Sequence, residues 1–136
     1  MPVGVHDATL AEVEARFTSR GNIDRRTDLF NRFRSYLSEL RLTDVPVVVY
    51  IDGSFTTSKP APTDIDLVIE LPAGYDLASD FPFFHQQVFR ADRVRRVWRF
   101  DVLVAPAGSE DLAGHIETFQ TDSRSGIAKG IIRLQQ

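Results

Sequence analysis

The sequence predicts an α/β domain, and three observations carry that prediction. Apolar residues recur at helical spacing between Leu10 and Leu42, the run Pro46–Ile51 is apolar and largely β-branched, and Asp64–Leu71 alternates polar with apolar side chains over much of its length. At 136 residues the chain is one domain's worth, enough for a sizeable core and too short for two full domains, so residues 1–136 are expected to form one unit.

The elements follow in order. Thr9 and Glu12 make a Thr-x-x-Glu capping box, after which Leu10, Val13 and Phe17 share a helical face. Gly21-Asn22 breaks that helix, and a longer one over about 24–42 places Leu29, Phe30, Phe33, Leu37 and Leu40 on one stripe. These N-terminal helices span about 9–42, and a core of about 46–106 follows. Pro46–Ile51 suits a strand covered on both faces and ends at Asp52-Gly53-Ser54. Residues 56–63, rich in proline, serine and threonine, read as a loop, and 64–71 resume a strand. Pro72-Ala73-Gly74 marks a turn, about 80–94 reads as a helix, 97–105 as a third strand, 109–119 as a helix capped by Ser109, and 130–134 as a closing strand.

Composition narrows the function classes. Hydrophobic residues at 43% and charged residues at 26% exclude a mainly disordered chain, and the absence of cysteine excludes disulfides, thiolate metal sites and a cysteine nucleophile. No basic-then-apolar leader and no membrane span are present, so a cytoplasmic protein without membrane partners is expected. A net charge of −3 and a pI near 5.6 argue against coating nucleic acid through a broad basic surface, while leaving nucleic acid open as a transient acceptor.

The chemistry concentrates in acids on strands. Alternation sends Ile65, Leu67, Ile69 and Leu71 to one face and Asp64 and Asp66 to the other. Two carboxylates on one face repel unless a cation offsets them. In the third strand Phe100, Val102 and Val104 share a face, and Arg99, Asp101 and Leu103 the other. If the strands are neighbours, Asp101 joins Asp64 and Asp66 as hard oxygen ligands suited to Mg2+ or Mn2+. Such sites stabilise the attacking and leaving oxygens of phosphoryl or nucleotidyl displacement. Gly53 permits a sharp turn with exposed backbone amides, and the Ser54 hydroxyl adds a donor for phosphate.

Gly53-Ser54, nine intervening residues, Asp64-Ile65-Asp66 and a later strand Asp101 resemble the DNA polymerase beta nucleotidyltransferase superfamily, in its minimal prokaryotic branch. The segments Gly4–Leu10, Ile51–Phe55 and Lys129–Ile132 also look like an uncharacterised bacterial family of small nucleotidyltransferase-like proteins, a resemblance spanning nearly the whole chain. It implies a polymerase-beta-type fold with a small mixed sheet flanked by helices. It also implies that Asp64 and Asp66 bind metal, that Asp101 helps activate an acceptor hydroxyl, and that Gly53 and Ser54 contact a triphosphate. The spacing between the motif halves is one residue shorter than is common in toxin–antitoxin versions.

The expected activity is therefore metal-dependent transfer of a nucleoside monophosphate from an NTP, ATP among them, to a hydroxyl of a protein, RNA or small molecule. The alternative is an inactive nucleotide-binding or regulatory module, as in a toxin–antitoxin or defence pair. At this length a partner chain or a homodimer is expected to supply the second wall of the cleft.

Other charged residues have plainer readings. Asp52 reads as a turn residue, Lys59 either reaches a phosphate or is a solvated loop lysine, and Lys129 belongs to the narrower resemblance without a spacing that aims it at nucleotide. Arg90, Arg93, Arg95, Arg96 and Arg99 with Trp98 form a stretch that either grips an acceptor or lines a solvated edge. Arg99, by alternation, faces Asp101 as an ion-pair or phosphate partner. His6, His85 and His115 have no ligand spacing.

Overall fold

Thr9 opens the first helix as the capping-box pattern predicts. Its Oγ1 accepts from the Glu12 N–H at 3.2 Å and its own N–H donates to Glu12 Oε1 at 3.1 Å, which holds the Glu12 carboxyl below its usual value. The computed structural model describes residues 4–18, 23–52, 66–75, 85, 88–99, 101–119 and 130–135, with backbone alone for 23–25, 52, 119, 130 and 135.

Helix α1 (Leu10–Phe17) buries Val13 and Phe17, and α2 (Ile23–Leu42) buries the whole expected stripe of Leu29, Phe30, Phe33, Leu37 and Leu40. Two polar side chains join that interface. Arg26 is fully buried, donates from Nη1 to the Phe17 carbonyl at 3.1 Å and lies 4.8 Å from the Phe17 ring centroid, tying α2 to the end of α1. Tyr36 is also fully buried and donates its hydroxyl to the Val88 carbonyl at 2.7 Å.

The strands are β1 (Gly4–Thr9), β2 (Val48–Asp52), β3 (Asp66–Leu71), β4 (Asp101–Pro106) and β5 (Gly130–Gln135), and two further helices are α3 (Ala91–Val97) and α4 (Glu110–Phe119). They form one mixed five-stranded sheet in the order β1-β5-β2-β3-β4. The outer pairs, β1 with β5 and β3 with β4, are parallel, and the two pairs made by β2 are antiparallel. The molecule is a mixed α/β fold.

One sheet face, built from Val49, Ile51, Leu67, Ile69, Val102, Ile132 and Leu134, packs with residues of α1, α2 and α3. The other, with Tyr50, Val68, Ala105 and Ile131, packs Leu112 and Ile116 of α4. Helices on both faces explain why Val68 is fully buried although it alternates with the apolar set of the first face. Ser109 caps α4 as expected, accepting from the Leu112 N–H at 3.1 Å. The turn after β3 is also present, with a hydrogen bond from the Tyr75 N–H to the Pro72 carbonyl at 3.1 Å and Gly74 at φ 80.

Three expectations need correction. A strand precedes the capping box, since Gly4–Thr9 pairs residue by residue with Gly130–Gln135. The helix expected over about 80–94 is interrupted at Arg90, which is extended (φ −89, ψ 118), and α3 then runs to Val97. The third strand therefore starts at Asp101, not Val97. Among the described residues no helix is long and apolar enough to cross a membrane.

Candidate functional site

Asp66 opens β3 and Asp101 opens β4, and the parallel register makes the two residues direct partners. Asp66 is two residues before the buried Val68 and Asp101 four before the buried Ala105, both of the second face, so strand alternation puts both carboxylates on that face. Neighbouring strands lie about 4.8 Å apart, a separation that one divalent ion with oxygen ligands at about 2.0–2.6 Å can bridge. Asp66 is half-buried and Asp101 exposed, so the pair sits at the rim of the sheet and not in its core.

The antiparallel pairing of β2 brings its last residues to the same rim. Ile51 pairs with Leu67 and Asp52 with Ile131, and Gly4 pairs with Gly130. The exit of β2 and the entries of β1, β3, β4 and β5 thus share one end of the sheet. Gly53-Ser54 follows Asp52 directly in the chain, and Lys129 directly precedes Gly130. Gly53, Ser54, Asp64, Lys59 and Lys129 themselves lie outside the described residues.

The charge facing Asp101 comes from Arg95. Arg95 Nη1 lies 3.3 Å from Asp101 Oδ1. The connection between α3 and β4 makes this possible: Arg99 takes φ 63 and its N–H reaches the Val94 and Arg95 carbonyls, closing the helix end and reversing the chain into β4. Strand alternation assigns that facing position to Arg99. The correction is geometric, because a left-handed residue outside the strand no longer follows its period. Arg95 was one cation among five in its stretch, and only the helix-to-strand reversal distinguishes it.

A second polar row crosses the same sheet face. Arg133 donates to both oxygens of Asp7, at 2.6 and 3.0 Å, and Tyr50, its partner across β5 and β2, donates to Glu70 Oε1 at 3.4 Å. Burial and then the Glu70 carboxylate push the Tyr50 hydroxyl up, with Arg133 opposing them. The Asp7 carboxylate in turn holds the Arg133 guanidinium more firmly protonated than usual. Glu70 is four residues beyond Asp66, roughly 13 Å along a strand. It cannot share an ion with Asp66 and Asp101.

The described residues thus bring together two of the three expected acids. Among them no group of three or more His, Cys, Asp or Glu side chains is arranged to hold a metal ion. His6 lies on β1 and His115 on α4, and His85 packs edge-on against Phe89 at 5.9 Å.

A model of a family of unknown function, DUF6932, matches residues 1–135, and the chain belongs to that family. No curated protein and no solved structure matches it.

Proposed function

We propose that this member of the DUF6932 family is a nucleotidyltransferase of the polymerase-beta type, moving a nucleoside monophosphate from an NTP to a hydroxyl of a protein, RNA or small molecule. The observation that supports the reading most is the direct pairing of Asp66 with Asp101 across β3 and β4, at the sheet end where β2 leads into Gly53-Ser54. Two acids side by side on one face favour the binding of a cation, and hard oxygen donors fit Mg2+ or Mn2+.

In this reading Asp64, Asp66 and Asp101 would hold a divalent ion, and such an ion would supply charge stabilisation at the reacting phosphate. The Gly53 and Ser54 amides and hydroxyl bind and orient the triphosphate. The acceptor oxygen bonds to the α-phosphorus, the bond to the bridging oxygen breaks, and pyrophosphate leaves. Asp101 takes the acceptor's proton. A partner chain or second copy completes the acceptor wall, in keeping with a toxin–antitoxin or defence role.

One observation favours a second reading, a nucleotide-binding module without turnover: Asp101 already has a cationic partner in Arg95. Both readings meet the same experiment. Label transfer from each NTP with Mg2+ into cell extract is expected, alongside an NTP- and Mg2+-dependent rise in melting temperature. Asp66→Asn and Asp101→Asn should each lower transfer by about a hundredfold or more with unchanged circular dichroism. A melting shift without transfer supports the binding module, and neither signal rejects both readings.

A further inference from the structure

Arg95 lies in the last turn of α3, and its Nη1 meets Asp101 Oδ1 at 3.3 Å, with side-chain exposures of 54% and 57%. The guanidinium therefore stands beside a carboxylate whose neighbour across the strand pair is another carboxylate, Asp66. Without a cation the two acids repel, and a nearby positive charge relieves that repulsion. An ion pair this exposed is nevertheless weak, because water screens the charges and the long arginine side chain loses freedom in forming it. A divalent ion offers two charges at shorter range to the same oxygens and outcompetes it.

We propose that Arg95 is an exchangeable counter-ion for Asp101, holding the carboxylate while no divalent cation is bound and yielding it when one arrives. The inference rests on the metal-binding reading of Asp66 and Asp101 and adds to it a residue that sets cation affinity. Arg95 is a positioning residue here, acting through Asp101. Its position depends on the reversal at Trp98 and Arg99, where the chain turns from α3 into β4.

The test is an Mn2+ titration followed by electron paramagnetic resonance of the free ion, on the whole chain without nucleotide. Wild type, Arg95→Gln, Asp101→Asn, Asp66→Asn and the double variant Arg95→Gln/Asp101→Asn are compared, with circular dichroism to check folding. Arg95→Gln should tighten Mn2+ binding by roughly two- to fivefold, the range open to an exposed ion pair. With Asp101→Asn already present the same change should have almost no effect.

Unchanged or weaker binding in Arg95→Gln overturns the proposal, as does equal tightening with and without Asp101, which would reflect only the loss of a positive charge. If wild type binds no Mn2+, or if Asp66→Asn and Asp101→Asn leave binding unchanged, the metal-binding reading fails and the counter-ion role falls with it. If the aspartate variants weaken binding and Arg95→Gln does not tighten it, only the role of Arg95 fails.

Discussion

Arg99 adopts φ 63, a region in which a side chain's Cβ crowds the following carbonyl. The residue is exposed, so no burial offsets that strain. Glycine tolerates the conformation freely, though it adds disorder to the unfolded chain. Arg99→Gly should therefore stabilise the protein by roughly 0.5–1 kcal/mol, read as a higher urea midpoint with unchanged slope. A β-branched Arg99→Val should lower the midpoint. If glycine lowers it instead, the side chain makes a contact that outweighs the strain. At this scale strand alternation was a poor guide, because a single left-handed residue ends the period on which it relies.

Helix α2 is held in place by more than its apolar stripe. Tyr36 spans from α2 to the Val88 carbonyl, and its ring meets Trp98 edge-on at 5.9 Å. Burial pushes the Tyr36 hydroxyl well up, so the folded protein keeps its proton at a pH where the unfolded chain gives it up. A raised folded pKa contributes stability that is complete below the unfolded value near 10 and is lost as pH rises above it. The loss attributable to this one proton approaches about 1.4 kcal/mol per pH unit. Tyr36→Phe should make the fall of unfolding free energy above pH 10 shallower by close to one proton. Tyr50 and Tyr75, whose hydroxyls are also pushed up, contribute to the slope left over. At neutral pH the variant should be less stable by about 1–2 kcal/mol through loss of the bond to Val88. Denaturation series at several pH values measure both effects, and an unchanged slope would show that the phenol is not the titrating group.

In the whole molecule, the last described strand is an interior one. β5 lies between β1 and β2 and buries Ile131, Ile132 and Leu134 on the two faces of the sheet. The Asp7–Arg133 pair closes a separation of 126 residues. Contacts so distant in sequence form late and at high entropic cost. A chain ending at residue 129 should lose β1 from the sheet together with β5, and should show no cooperative thermal transition by circular dichroism. A cooperative transition close to the full chain's would mean that β2, β3 and β4 with their helices suffice. The same topology gathers Asp66, Asp101, the end of β2 and the start of β5 at one rim.

The stripe of α2, the Thr9 and Ser109 caps, the buried run of β2 and the Pro72–Gly74 turn could all be read from the sequence. Each depends on spacing within a few residues, where 3.6- and 2-residue periods and cap chemistry act directly. The face shared by Asp101 with Leu103 was legible for the same reason. Gly4–Thr9 was not, since a short strand with little β-branched character is held by a partner at the far end of the chain. Nor was Asp66 opposite Asp101, or Arg95 in place of Arg99 beside it, because strand order, register and a left-handed turn arise from packing between elements. Residue type and spacing limit which acids can meet; strand order and register set Asp66 opposite Asp101, and the left-handed turn at Arg99 brings Arg95 beside them.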